Sequence, residues 1–131
     1  MTETENFEVA FTVELPPVSK KNSQQIVYNQ AKGRPFIMPS KKYKDYEKAA
    51  TKYIPVRVVP IGYPVNVQCL FYMPTKRKCD LTNMLEAIDD VMVRAGLLDD
   101  DNFAVIAGHD GSRVLYDKER PRTEVYITRM E

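Results

Sequence analysis

The sequence predicts one α+β domain: a compact unit with a mixed β-sheet and two main helices. Three observations carry this. The chain has 131 residues, enough to close one hydrophobic core without staples. Two segments, 7–15 and 65–73, alternate apolar and polar residues at the period of a strand, whereas 81–95 repeats its apolar residues at the period of a helix. Strand and helix signals are interspersed, and no repeat, low-complexity tract or linker divides the chain. The whole of 1–131 is therefore read as a single domain, with 1–6 as a flexible lead-in.

Phe7, Val9, Phe11, Val13 and Leu15 share one face of the first strand, and Pro16 and Pro17 end it. A polar run, SKKNSQQ, leads to short extended pieces at IVYN and PFIMP. Ser40 is placed to cap a helix whose inner face is Tyr43, Tyr46, Ala50 and Tyr53, stopped by Pro55. Val65, Val67, Cys69, Phe71 and Met73 form the face of a second strand. The basic turn PTKRKC follows. The second helix runs from Leu81 to Ala95, with Asp80 at its N-cap and Gly96 at its stop; Leu81, Leu85, Ile88 and Met92 face inward. Short strands are expected at 103–107, 112–116 and 122–129, divided by HDG and KERP turns.

Composition excludes several chemistries. Two cysteines and one histidine cannot build a four-ligand zinc site or a disulfide framework, and any metal must be held by oxygen. No apolar run is long enough to span a bilayer, so no membrane partner and an intracellular location are expected. Cys79 is read as an ordinary thiol and His109 as a turn residue without a catalytic role. The net charge of +1 hides a sorting of charges: 20–52 carries nine Lys or Arg against two acids, whereas 76–101 carries four against seven. A basic face suits a polyanion, and an acidic cluster in the same molecule suits a cation that offsets its repulsion.

The acidic stretch is KRKCDLTNMLEAIDDVMVRAGLLDDDN. Asn83, Glu86 and Asp90 share one side of the helix that Asp80 opens, and Asp99, Asp100 and Asp101 follow its stop. Asp80 alone is explained by capping. Asp90 near the negative end of the helix, and three aspartates beyond it, are not. Carboxylates of this kind hold Mg²⁺ with water and a substrate phosphate; a solvated acidic helix and turn is the competing reading.

Asp80-Leu-Thr-Asn83, then Glu86, Asp90, Ala95-Gly96 and Asp100-Asp101, resembles the signature of the RusA-type Holliday junction resolvases, in which DxDN opens a helix that ends in G followed closely by DD. PPVSKKNSQQIVYN and GRPFIMPSKKYKDYEKAA also resemble the first half of that family, so the likeness runs from about Phe7 to Ile127. It implies a RusA-like fold and a homodimer that cuts four-way DNA junctions by paired nicks in recombination and repair, using Mg²⁺, or Mn²⁺ in its place, and no organic cofactor. It implies a cytoplasmic protein, nucleoid-associated when on DNA, of phage or prophage type. The family's aspartates carry over to Asp80 and the Asp100-Asp101 pair, Asp101 being favoured by spacing. Thr82 stands where the family has its second aspartate, and Glu86 where it often has lysine; a helical side chain leans toward the N-terminus, so Glu86 is expected to lean back over that turn.

The expected metal ligands are thus Asp80, Asp101, Glu86 and Asp90, with Asn83 orienting a ligand or water and Asp100 beside them. Lys76, Arg77 and Lys78 are expected on the phosphates flanking the cut, with Lys20, Lys21, Lys41, Lys42 and Arg113 widening the footprint. Arg122 fits either DNA or a structural ion pair. Tyr28, Tyr43 and Tyr46 are read as core residues ahead of base-stacking ones. Two other functions compete: a DNA-binding relative without nuclease activity, and a nuclease of the same fold acting on flaps or forks.

Overall fold

The structure is a computed structural model that describes residues 7–19, 24–29 and 34–130, with the backbone alone for 24–29 and 34–39. Its elements in order are β1 (Val9–Val13), β2 (Gln24–Asn29), β3 (Arg34–Pro39), α1 (Lys41–Ala50), β4 (Val65–Met73), α2 (Leu81–Arg94), β5 (Ile106–Gly108), β6 (Arg113–Tyr116) and β7 (Arg122–Arg129), with a 3₁₀ turn at Thr51–Tyr53. The α+β expectation holds. A mixed sheet has β4 at its centre: β7 lies antiparallel on one side and carries β1 at its far edge, and β5 and β6 lie parallel on the other. β2 and β3 form a separate two-stranded antiparallel sheet.

Alternation decides which face of the sheet is covered. Val65, Val67, Cys69 and Phe71 of β4, with Val125 and Ile127 of β7 and Val13 of β1, are buried in one core. Onto them pack Met84, Ile88, Val91 and Met92 of α2 and Tyr46 and Ala50 of α1. The other face carries a polar and aromatic layer, in which the Arg122 guanidinium lies 3.8 Å from the Tyr72 ring centroid and pairs with Asp117 and Glu124. Ser40 caps α1 as expected, its Oγ accepting from the Tyr43 N–H at 3.2 Å. Gly96, at φ 83°, ends α2 where an L side chain would be strained. No helix among the described residues is long and apolar enough to cross a membrane.

Two local departures from the expected strands shape the surface near the end of α2. The strand expected at 103–107 starts only at Ile106, because Asn102 closes a turn first: its side-chain oxygen accepts from the Ala104 N–H and its carbonyl from Val105 and Ile106. Phe103 is thereby left outside the core. Second, the strand partner of β4 is interrupted at 109–112, and side chains replace the missing ladder. His109 Nδ1 donates to the Val67 carbonyl at 2.8 Å, Ser112 Oγ accepts from the Cys69 N–H at 2.9 Å, and Asn66 brackets Asp110 from both sides. Gly111 closes this excursion at φ 86°, and a Cβ there would lie 2.7 Å from the Gln68 amide.

Candidate active site

Two functional regions lie at different heights along α2. At its N-terminal end Asp80 occupies the N-cap position with extended backbone, yet its carboxylate caps no N–H; it accepts only from the Asn83 side-chain amide at 3.2 Å. The carboxylate is exposed and not committed to the helix, which corrects the capping explanation of this residue. Beside it a groove of about 880 Å³ opens between the start of α1 and the end of β4. Its walls include Lys42, Arg77 and Lys78 with Ser19, Ser40 and Thr75, over a floor of Pro16, Pro17, Met73 and Met84. Two helix N-termini and three cations converge there, an arrangement that attracts phosphates.

The second region sits beside the last two turns of α2. Asp90 is about 15 Å farther along the axis than Asp80, at about 1.5 Å of rise per residue. Its charge acts on Tyr43 of α1 and on Asp101 of the following loop. In that loop Asp100 Oδ1 accepts from the Asp101 N–H at 2.7 Å, and Oδ2 accepts from the Asn102 amide at 3.1 Å. Burial, a hydrogen bond with Asp100 and the charges of Asp100 and Asp90 together push the Asp101 carboxyl above its usual range. Carboxylates that repel one another in this way are the donor set a hard divalent cation relieves.

At the second region, next to Asp90 on α2, stands a pair that reading the sequence alone missed, and the charges of Asp101 and Asp90 act on its carboxylate. Asp89 is 8% exposed, and its Oδ2 lies 2.8 Å from His109 Nε2; its Oδ1 is buried without a hydrogen-bond partner among the described residues. With Nδ1 donating to Val67, the ring is held between a strand carbonyl and a helix carboxylate. Burial opposes the charged ring, but the hydrogen bond and charge of Asp89 and the Val67 carbonyl outweigh it, and the His109 pKa rises above its usual 6.5. The signal was present: a charged residue next to Ile88 on an inward face needs a partner, and the chain has one histidine. A raised folded pKa means that this pairing contributes its full stability below about pH 6.5 and loses it as pH climbs through the folded value. Unfolding measured from pH 6 upward should show that decline, and His109→Gln should flatten it.

The charge of Asp90 thus acts on Asp101, whose N–H donates to Asp100, while Asp80 accepts from Asn83 at the start of α2. Glu86 is exposed on α2 between the two groups. Among the described residues, no three or more histidine, cysteine, aspartate or glutamate side chains are placed to hold one metal ion within a chain. Of the expected DNA-contacting residues, Lys42, Arg77 and Lys78 line the groove, Lys76 lies 5.1 Å from the Tyr116 ring centroid, Lys41 pairs with Asp45 at 2.8 Å, and Arg113 is exposed on β6. Lys20 and Lys21 lie outside the described residues, as does the Tyr28 side chain. Arg122 is a structural ion-pair residue, and Tyr43 and Tyr46 are buried in the core. Burial and the nearby Asp80 push the Cys79 thiol up, away from reactivity.

Comparison with known proteins finds that the family described as Endodeoxyribonuclease RusA matches residues 14–128. The crossover junction endodeoxyribonuclease RusA of Aquifex aeolicus (strain VF5) is 40% identical over 42 residues. That stretch is 32% of this chain and 33% of the relative, so the match spans about a third of the curated protein's length.

Proposed function

This chain belongs to the RusA endodeoxyribonuclease family, and from that membership we propose that it is a metal-dependent nuclease that resolves four-way DNA junctions by paired nicks in recombination and repair. The observation that carries the reading is an exposed Asp80 carboxylate that caps no backbone N–H and directly follows Cys79 on the lining of a cationic groove. Lys42, Arg77 and Lys78 would seat the backbone phosphates that flank the cut, fixing register without reading sequence. Asn83, already bonded to Asp80, would hold that carboxylate in orientation.

The residues fit a Mg²⁺ or Mn²⁺ ion by donor chemistry, with Asp80 on one side and Asp101, Asp100 and Asp90 on the other. When bound, such an ion stabilises the charge that develops on the phosphate and makes water a better nucleophile. Asp80 and Asp90 stand about 15 Å apart along α2, and it is Asp90 whose charge acts on Asp101, which favours a site completed by a second chain. We therefore read each site as shared by two chains of a homodimer, whose two-fold axis matches that of a four-way junction and gives two nicks. A DNA substrate places the protein with the nucleoid in the cytoplasm.

The test is cleavage of a labelled four-way junction with Mg²⁺, with Mn²⁺ and with chelator, beside a linear duplex, a flap and a fork at equal salt. Paired metal-dependent nicks on the junction are expected. Preferential cutting of flaps or forks would move the substrate assignment, and binding without nicks in either metal would overturn the nuclease reading. Arg77→Ala and Lys78→Ala should each weaken binding to junction and duplex alike and lower the salt-dependence slope by about 1.

A further inference from the structure

We infer that Phe103 is a DNA-contacting residue that stacks on the exposed face of a base at the branch point, next to the phosphate being cut. Phe103 is 86% exposed, whereas Val105 and Ile106 after it are buried. Its loop is braced: Asn102 bonds to Asp100 through its amide nitrogen and to the backbone of 104 through its amide oxygen, and the Asn102 carbonyl accepts from 105 and 106. An aromatic ring is therefore presented outward from a fixed turn, within two residues of Asp101.

The surroundings decide what it meets. The rest of that turn is Asp99, Asp100, Asp101, Asn102 and Ala104, so within it Phe103 is the one exposed large apolar side chain, set among polar neighbours. A lone ring is small beside the roughly 800 Å² each partner contributes to a stable protein interface, but it matches the face of one base. Every base offers such a face, and stacking on an aromatic side chain is sequence-tolerant. Bases at a branch point lack one stacking neighbour and are the cheapest in the molecule to capture.

The inference rests on the junction-nuclease reading, and its test separates the two. Wild-type protein, Phe103→Ala, Phe103→Leu and Phe103→Trp are compared for binding to a four-way junction and a linear duplex across a salt series, and for kcat/KM on the junction. Phe103→Ala should weaken junction binding about tenfold, equally at every salt concentration, and leave duplex binding and thermal unfolding unchanged. Phe103→Trp should keep junction affinity, and Phe103→Leu should behave as the alanine variant does. Junction affinity at the wild-type level in Phe103→Ala or Phe103→Leu overturns the stacking role. So does a change of oligomeric state in sedimentation of Phe103→Ala, which would assign the ring to a contact between chains, and so does wild-type protein that binds junction no better than duplex. Wild-type protein that prefers junctions but does not cut them, with Phe103→Ala losing that preference, overturns the nuclease reading and sustains this one.

Discussion

Asp80→Asn is expected to reduce metal-dependent junction cleavage by about 10²-fold or more, the scale seen when one preorganised electrostatic group is removed from an active site, while junction binding stays as tight or becomes tighter. The substitution keeps the size of the side chain and removes its charge. Because the carboxylate caps no backbone N–H, helix α2 loses no capping hydrogen bond, and stability should change by no more than the roughly 0.3–1 kcal/mol of a charge at a helix N-terminus. The same charge directly follows Cys79 on the lining of the groove that holds Lys42, Arg77 and Lys78, where it would repel an incoming phosphate unless a cation intervened. Removing it therefore separates binding from chemistry. Single-turnover cleavage and equilibrium binding on one labelled junction check both halves. A variant that cuts near the wild-type rate would remove Asp80 from the site.

Phe71→Ala should have the largest effect on the fold, about 3–5 kcal/mol, the usual cost of truncating a buried phenylalanine. Phe71 is 2% exposed on the central strand, with β7 on one side and β6 on the other. Its ring belongs to the core on which α2 rests. A cavity there loosens the support of the element that carries Asp80, Asp89 and Asp90. Urea unfolding followed by far-ultraviolet circular dichroism measures the loss, and a change under about 1 kcal/mol would show that the core repacks around the gap. Activity should fall only as far as the folded fraction falls at the assay temperature.

Much of the fold was legible because its signals are local. Period-two alternation marked β1 and β4, helical spacing marked α2, and Ser40 and Gly96 marked a helix start and stop that the structure bears out. The strand expected at 103–107 was less accurate, since an apolar run does not reveal that Asn102 turns back on the residues after it. The basic groove could be anticipated as residues but not as a shape: Lys42 and Arg77 are far apart in sequence and line one groove only because the start of α1 and the turn after β4 lie at the same edge. Asp89 and His109 were missed for the same reason. Each looks like a local feature, one a polar residue on a helix and the other a turn histidine, and only the sheet's interruption at 109–112 joins them.

The length of α2 has a consequence for how safely this molecule can be kept in a cell. With Asp80 and the Asp90 end of α2 about 15 Å apart on a rigid rod, a lone chain would carry, if each site is shared between two chains as proposed above, two halves of different sites and no whole one. Nuclease power would then exist only after two chains had met. Free copies drifting along chromosomal DNA would be harmless, and the hazard would grow faster than abundance does. A shorter helix would allow a cutter in every copy; this one would make cutting a property of the encounter.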